Sequence, residues 1–169
     1  MSRELFDIYD SEGNCIGTAP RSECHGNPAL LHRTAHVVVI HPETGDILLQ
    51  KRKMTKDIQP GKWDTAVGGH LDSGEDYLAG ARRELAEELG ISGDIELEWL
   101  FVEKVRNDIE SEDAGVFALR HAGPFRFQES EIDELRFWSK EELLNTDNHK
   151  YFTPLLVSEL AMLKQKNII

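Results

Sequence analysis

The most informative part of the chain is residues 69–91, which read GHLDSGEDYLAGARRELAEELGI. The spacing of its apolar residues predicts a helix over Tyr77–Leu89, with Asp76 or Ser73 as the N-cap and Gly90 just past the C-terminus. The apolar residues recur every three or four positions and are Leu78, Ala81, Leu85 and Leu89. They form one stripe, which predicts packing of the helix against a sheet.

Three glutamates of this predicted helix stand at positions i, i+3 and i+4, namely Glu84, Glu87 and Glu88. Their carboxylates converge within one helical turn, beside the apolar stripe. Like charges at this spacing repel, and hard divalent cations such as Mg²⁺ or Mn²⁺ prefer oxygen ligands of this kind. Arg83 is also a candidate catalytic residue, because it can brace one carboxylate with a bidentate hydrogen bond. A solvated helix face is the alternative interpretation of the same run.

The whole stretch resembles the signature box of the Nudix hydrolase family, Gly-x5-Glu-x7-Arg-Glu-U-x-Glu-Glu-x-Gly-U, where U is apolar. The positions that match the fixed and apolar sites are Gly69, Glu75, Arg83, Glu84, Leu85, Glu87, Glu88, Gly90 and Ile91. This resemblance implies an α/β fold, specifically the family's α/β/α sandwich with a mixed β-sheet. It also implies hydrolysis of a diphosphate bond in a nucleoside or other X-diphosphate substrate.

The resemblance further implies a role for each glutamate. Glu87 and Glu88 would hold Mg²⁺ or Mn²⁺, and Glu84 would hold metal or accept the proton of the attacking water. Glu112 is the alternative general base. Gly69 would let the backbone pass close to the metal, which lowers the pKa of the water and neutralises phosphate charge.

Several residues outside the box are similar to those of the metal-dependent isopentenyl-diphosphate isomerases, which share the Nudix fold: Arg52, Pro60-Gly61, Trp63 and Gly69-His70. That likeness implies that Arg52 and Lys56 contact the substrate diphosphate. It also implies a second metal site of three histidines and two glutamates, here His25, His32, His70, Glu110 and Glu112. Mixed imidazole and carboxylate ligands favour Mn²⁺ or Zn²⁺. Taken singly, each of these residues is also typical of a surface or an acidic loop.

One position departs from the isomerase pattern. Where the isomerases have a catalytic cysteine, this chain has Gly68. Moving a double bond requires groups that deliver and remove protons, and glycine does neither. The sequence therefore favours hydrolysis over the alternative of an isopentenyl-diphosphate isomerase. A non-catalytic module that senses a diphosphate metabolite is a second alternative, which needs no water-activating glutamates.

The remaining pattern predicts a single Nudix domain over residues 1–169, beginning with a hairpin at about 5–20. We expect strands over 34–40, 47–52, 63–67, 95–105, 115–119 and 135–138. Ser139 opens a short helix with a capping-box pattern. Thr153 and Pro154 begin a final helix that ends near Lys166.

Composition restricts the class of protein. The 169 residues carry a formal net charge of −12, which disfavours a nucleic acid partner. The sequence shows neither a transmembrane run nor a secretory signal, and two cysteines are too few for a disulfide framework. We therefore expect a cytoplasmic protein with a small-molecule diphosphate as its partner and no contact with membranes. The sequence does not indicate an oligomeric state.

Overall fold

The structure, a computed structural model, describes residues 4–169 as a mixed β-sheet with helices on both faces. The strands are β1 Leu5–Tyr9, β2 Cys15–Pro20, β3 Leu31–Ile40, β4 Ile47–Arg52, β5 Trp63–Thr65, β6 Val67–His70, β7 Glu98–Arg106, β8 Ser111–Arg120 and β9 Ile132–Trp138. The helices are α1 Arg21–Cys24, α2 Tyr77–Leu89, α3 Lys140–Leu144 and α4 Pro154–Gln165, with a 3-10 segment at Thr146–Tyr151. This architecture confirms the predicted α/β fold class.

Strand β3 organises the sheet. It runs parallel to β8 from the Leu31–Ser111 pair to the Ile40–Arg120 pair, and antiparallel to β6. Strand β7 pairs antiparallel with β8, whereas β4 pairs antiparallel with β5 and β9. Strands β1 and β2 form an antiparallel hairpin beside the start of β3. The buried strands β3 and β8 are rich in β-branched and apolar residues, as a strand covered on both faces requires.

Two hydrophobic clusters cover the two faces of the sheet. Successive strand residues point to opposite faces, so alternate residues of β3 enter different clusters. The cluster beneath α2 includes Ala35, Val37, Val39, Leu85 and Leu89. The cluster beneath α4 includes Val38, Ile40, Leu156, Leu160 and Leu163. Helix α2 is thereby fixed against the sheet by Ala81, Leu85 and Leu89 of the predicted stripe, whereas Leu78, its fourth predicted member, is exposed.

Local signals at the helix ends act as expected. The Asp76 carboxylate accepts the Ala79 N–H at 2.7 Å and is the N-cap of α2, whereas Ser73 donates to Asp7 instead. Gly90 takes the left-handed conformation that ends the helix, with φ of 67°. Ser139 forms the capping box of α3, and Thr153 caps α4.

The strand predicted over 63–67 is instead two short strands separated at Ala66. The division arises because β5 pairs with β4 whereas β6 pairs with β3, so the chain changes partner strand at that point. Strand β8 begins at Ser111, earlier than expected, because its parallel pairing with β3 extends to Leu31. No helix in residues 4–169 is long and apolar enough to span a membrane.

Leu85→Ala tests the packing of α2. The Leu85 side chain is fully buried, so its truncation should lower the free energy of unfolding by about 2–5 kcal/mol. Leu78→Ala is the matched control on the same helix, where the side chain is 40% exposed and the expected change is within about 0.5 kcal/mol. Urea unfolding followed by circular dichroism measures both. Equal losses in the two variants would contradict the assigned packing.

Candidate active site

Helix α2 approaches β6 at two consecutive glycines. A Cβ atom at Gly69 would overlap the carboxylate of Glu84, whose side chain is 14% exposed. The N–H of Gly68 donates to Oε2 of Glu88 at 3.1 Å. The absence of side chains on this part of β6 therefore lets the strand backbone and two helix carboxylates share one surface.

Arg83 ties the parts of this surface together. Its Nε and Nη2 donate to the two carboxylate oxygens of Glu75 at 2.8 and 2.9 Å, and its Nη1 donates to Oε1 of Glu84 at 2.8 Å. Its Nη2 also donates to the backbone carbonyl of His70 at 2.9 Å. The hydrogen bonds from Arg83 hold the pKa of Glu75 below its usual value. Arg83 thus links α2, the loop before it and the end of β6.

The glutamate cluster, Glu84, Glu87 and Glu88, concentrates negative charge in a partly buried place. Burial raises the pKa of Glu88 to about 8, and the neighbouring charge of Glu84 adds to the effect. Burial also raises the pKa of Glu84. Glu87 is more open, with a side chain 54% exposed. The structure does not bring ligand atoms of all three glutamates within 4.8 Å of one another, so a cation would have to draw their side chains together. Their oxygen donors suit Mg²⁺ or Mn²⁺.

A second group, the histidine cluster, consists of His32, His70 and Glu112. Oε1 of Glu112 lies 3.3 Å from Nε2 of His32 and 3.1 Å from Nε2 of His70. Although burial opposes it, hydrogen bonding to both imidazoles keeps the pKa of Glu112 below its usual value. Phe6 stacks on both imidazoles. Because His70 directly follows Gly69 in β6, this cluster faces away from Glu84, on the opposite side of the strand.

The other two residues proposed for the second metal site differ in position. Glu110 is half-buried just before β8, where burial and the charge of Glu112 raise its pKa to about 7. His25 is exposed directly after α1 and is not part of the metal-capable group formed by His32, His70 and Glu112. The structure therefore brings three of the five predicted ligands together, with Glu110 adjacent.

The basic loop after β4 lies near the glutamate cluster. Burial and, next, the nearby charge of Arg52 lower the pKa of Lys56, whereas the charge of Glu88 raises it. Nε of Arg52 donates to the Ile58 carbonyl at 3.1 Å. Lys56 forms an ion pair with Glu131. Of the two predicted phosphate contacts, Lys56 is near enough to Glu88 to be influenced by its charge, and it is paired to an acidic residue that the sequence did not indicate.

The NUDIX domain family model matches residues 30–156 of the chain. The chain belongs to the Nudix family. This Nudix hydrolase is 38% identical over 168 residues to the Uncharacterized Nudix hydrolase YPO2781/y1614 of Yersinia pestis, covering 97% of this chain and 87% of that protein. It is 35% identical over 170 residues to the Uncharacterized Nudix hydrolase YfcD of Escherichia coli K12, covering 98% and 89%.

The fold is similar to a solved structure, DR0079 from Deinococcus radiodurans. The two chains are 24% identical with a TM-score of 0.73, and the alignment covers 93% of this chain and 96% of that one. At this identity the likeness shows the fold. Together with the family match, it establishes this protein as an enzyme of the Nudix hydrolase family.

A third polar group lies on the α4 face of the sheet and was not predicted from the sequence. Nδ1 of His36 lies 2.7 Å from Oε2 of Glu159 on α4, and Glu103 of β7 lies beside them. The feature of the sequence that could have indicated this group is Glu159, a charged residue on the same helix face as Leu156 and Leu163, which are buried in α4. Nothing local pairs it with residues more than fifty positions away.

Arg83→Lys tests the bracing of the cluster. Lysine keeps the positive charge but cannot form the forked contacts to Glu75 and Glu84. We expect the affinity for Mn²⁺, measured by electron paramagnetic resonance titration, to fall roughly 10- to 100-fold. Arg82→Lys is the neighbouring control, since the guanidinium of Arg82 reaches the Ile95 carbonyl only at 3.5 Å, and it should bind Mn²⁺ like the unmodified protein. Equal affinities for all three proteins would contradict the bracing role.

Proposed function

We propose that this enzyme hydrolyses the diphosphate bond of a nucleoside or other X-diphosphate substrate with Mg²⁺ or Mn²⁺. The observation that carries the proposal is the placement of Glu84, Glu87 and Glu88 on one turn of α2, with Glu84 against Gly69 and Glu88 bonded to the N–H of Gly68. A bound cation would neutralise phosphate oxygens, polarise phosphorus and lower the pKa of the attacking water. Carboxylates without neighbouring cations would repel such a substrate.

The residues in and around the glutamate cluster would have separate roles in hydrolysis. Glu87 and Glu88 would hold metal, and Arg52 and Lys56 would bind phosphate oxygens, which requires Lys56 to leave its pair with Glu131. Glu84 is favoured as the general base. Its Oε1 is bonded by Arg83, which leaves Oε2 to accept a proton.

Glu112 is the weaker candidate for the base. Its Oε1 contacts both His32 and His70, and hydrogen bonding to these rings holds its pKa low, so it accepts a proton poorly. It also belongs to the cluster on the opposite side of β6 from Glu84. Both features favour Glu84 for activating water.

The isomerase alternative is disfavoured by the surroundings of Gly68. A Cβ atom at this position would lie 3.1 Å from Cδ2 of His36, so a cysteine there would require the imidazole to shift by a few tenths of an ångström. No proton-transferring side chain stands at this position of β6. A relationship to the isopentenyl-diphosphate isomerases stays a prediction, supported by the histidine cluster rather than by this position.

We also propose that the histidine cluster binds a second cation, Mn²⁺ or Zn²⁺. His32, His70 and Glu112 each offer a ligand atom within 4.8 Å of the others, and all three are largely shielded from water. Imidazole and carboxylate donors together suit these two metals. Glu110 could add a carboxylate from the adjacent position, whereas His25 would have to move toward the cluster.

The location and the partner proposed for the enzyme rest on its composition. We propose that residues 1–169 act as one cytoplasmic Nudix domain whose partner is a small-molecule diphosphate. The net charge of −12 argues against a nucleic acid substrate.

A substrate screen tests the reaction. Purified protein is incubated with Mg²⁺ or Mn²⁺ and nucleoside di- and triphosphates, dinucleotides or isoprenyl diphosphates, and both phosphate or diphosphate release and isomer formation are measured. Hydrolysis of a member of the panel is expected. Allylic isomer without phosphate release would support the isomerase, and tight binding without any turnover would support the sensing module.

Glu88→Gln should reduce turnover of the best substrate by at least about a hundredfold while the fold remains intact. The variant lacks one of the carboxylates proposed to hold the metal, whose charge stabilises the transition state. Glu96→Gln is the control, since Glu96 is exposed and forms no ion pair within residues 4–169, and it should keep full activity. Circular dichroism verifies folding of both variants. Undiminished turnover in Glu88→Gln would refute the assigned role.

Glu112→Gln tests the second cation. Because the amide cannot supply the anionic ligand between the two imidazoles, we expect roughly 10- to 100-fold weaker binding of Zn²⁺ at this site. Isothermal titration calorimetry on chelator-treated protein measures the change. Identical Zn²⁺ isotherms for Glu112→Gln and the unmodified protein would contradict a metal role for this cluster.

A further inference from the structure

His36, Glu103 and Glu159 form a buried polar group, the inner cluster, between the sheet and α4. They come from β3, β7 and α4, and their exposures are 4%, 1% and 1%. Each offers one ligand atom within 4.8 Å of the other two. Three separate elements therefore direct a nitrogen and two carboxylates to one point in the interior.

The charges of the inner cluster do not balance. Oε2 of Glu159 lies 2.7 Å from Nδ1 of His36, and despite the opposing effect of burial this carboxylate raises the pKa of His36 to about 9. The resulting ion pair leaves Glu103 as an additional buried acid. Neither carboxylate oxygen of Glu103 has a hydrogen-bond partner of good geometry within residues 4–169, and the nearby Ser158 hydroxyl offsets only part of the effect of burial on the pKa of Glu103.

A buried carboxylate without partners is costly. Burial, reinforced by the charge of Glu159, accordingly raises the pKa of Glu103 to about 7. The hydroxyl of Thr34, on the same face of β3 two residues before His36, is also buried and without a partner. The unused polar atoms thus lie on the α4 face of the sheet, which is otherwise covered by the apolar side chains of α4.

We propose that the inner cluster is a binding site for a divalent transition-metal cation, Zn²⁺ or Mn²⁺. One cation would neutralise both carboxylates and give Glu103 the partner it lacks. Imidazole nitrogen and carboxylate oxygen are common ligands of both metals, bound at about 2.0–2.2 Å for Zn²⁺. Binding would replace the contact between His36 and Glu159 with two bonds to the cation, and the imidazolium of His36 would release its proton to solvent, because only the neutral ring binds a metal.

The expected role of this cation is structural. The ligands are covered by α4, so the ion would connect β3 and β7 to that helix rather than meet substrate. His36 also lies directly beneath Gly68, which donates to Glu88 on the opposite side of β6. A cation in the inner cluster would therefore stabilise the part of β6, around Gly68, that contacts the glutamate cluster.

Metal binding by three single variants distinguishes the inner cluster from the histidine cluster and the glutamate cluster. The variants are Glu103→Gln, Glu112→Gln and Glu88→Gln. Chelator-treated protein is titrated with Zn²⁺ and with Mn²⁺, bound metal is counted by native mass spectrometry, and thermal unfolding is recorded. Glu103→Gln should lose one bound cation per chain that Glu112→Gln and Glu88→Gln each retain. It should also lose the part of the metal-induced rise in Tm that both controls keep, since a ligand that binds only the folded state stabilises it.

Glu159→Gln provides a second variant should Glu103→Gln fail to fold, and it should show the same loss. The proposal is overturned if Glu103→Gln or Glu159→Gln binds as much metal as the unmodified protein with the same rise in Tm. It is equally overturned if Glu112→Gln and Glu88→Gln together account for all the bound metal. Because Glu88→Gln reports on the glutamate cluster separately, failure here leaves the proposed hydrolysis unaffected.

Discussion

The close approach of α2 to β6 is the contact on which the rest of the site depends. Gly69 leaves room for the Glu84 carboxylate, and the Gly68 N–H binds Glu88, so the two elements meet without an intervening side chain. The apolar stripe of α2 provides the driving force for this contact by burying Leu85 and Leu89 against the sheet. Packing thus fixes the helical turn that carries the three glutamates against the backbone of β6.

Arg83 makes that arrangement specific. A single guanidinium bonds Glu75, Glu84 and the carbonyl of His70, which fixes the helix, its preceding loop and the strand in one geometry. It bonds Glu75 and Glu84 but not Glu88, whose pKa is raised by burial and by the charge of Glu84. The glutamates that Arg83 does not fully neutralise are the ligands a divalent cation would use, and that cation would in turn offset the charge of a diphosphate.

The sequence predicted those features that depend on neighbours along the chain. The bounds of α2 and the cap at Asp76 follow from spacing and local hydrogen bonding, and the three glutamates follow from helical geometry. The break at Ala66 could not be predicted, because it arises when β5 and β6 pair with different strands. The contact between Lys56 and Glu131 likewise joins distant parts of the chain.

The same distinction holds for the polar groups of the interior. A resemblance placed His32, His70 and Glu112 in one set, but His36, Glu103 and Glu159 match no pattern and meet only because β3, β7 and α4 pack together. The two sets lie on the same face of the sheet, whereas the glutamate cluster lies across β6 from them. The protein therefore concentrates acidic and histidine ligands on both sides of one short strand, with glycine where the backbone must pass between them.

Anomalous diffraction from a crystal soaked in Mn²⁺ locates the cation that the glutamate cluster is proposed to bind. We expect a manganese peak between α2 and β6, within about 2.0–2.3 Å of carboxylate oxygens of the glutamate cluster, with Arg83 still bonded to Glu75. Glutamate side chains directed apart into solvent, with no ion between them at saturating Mn²⁺, would contradict it.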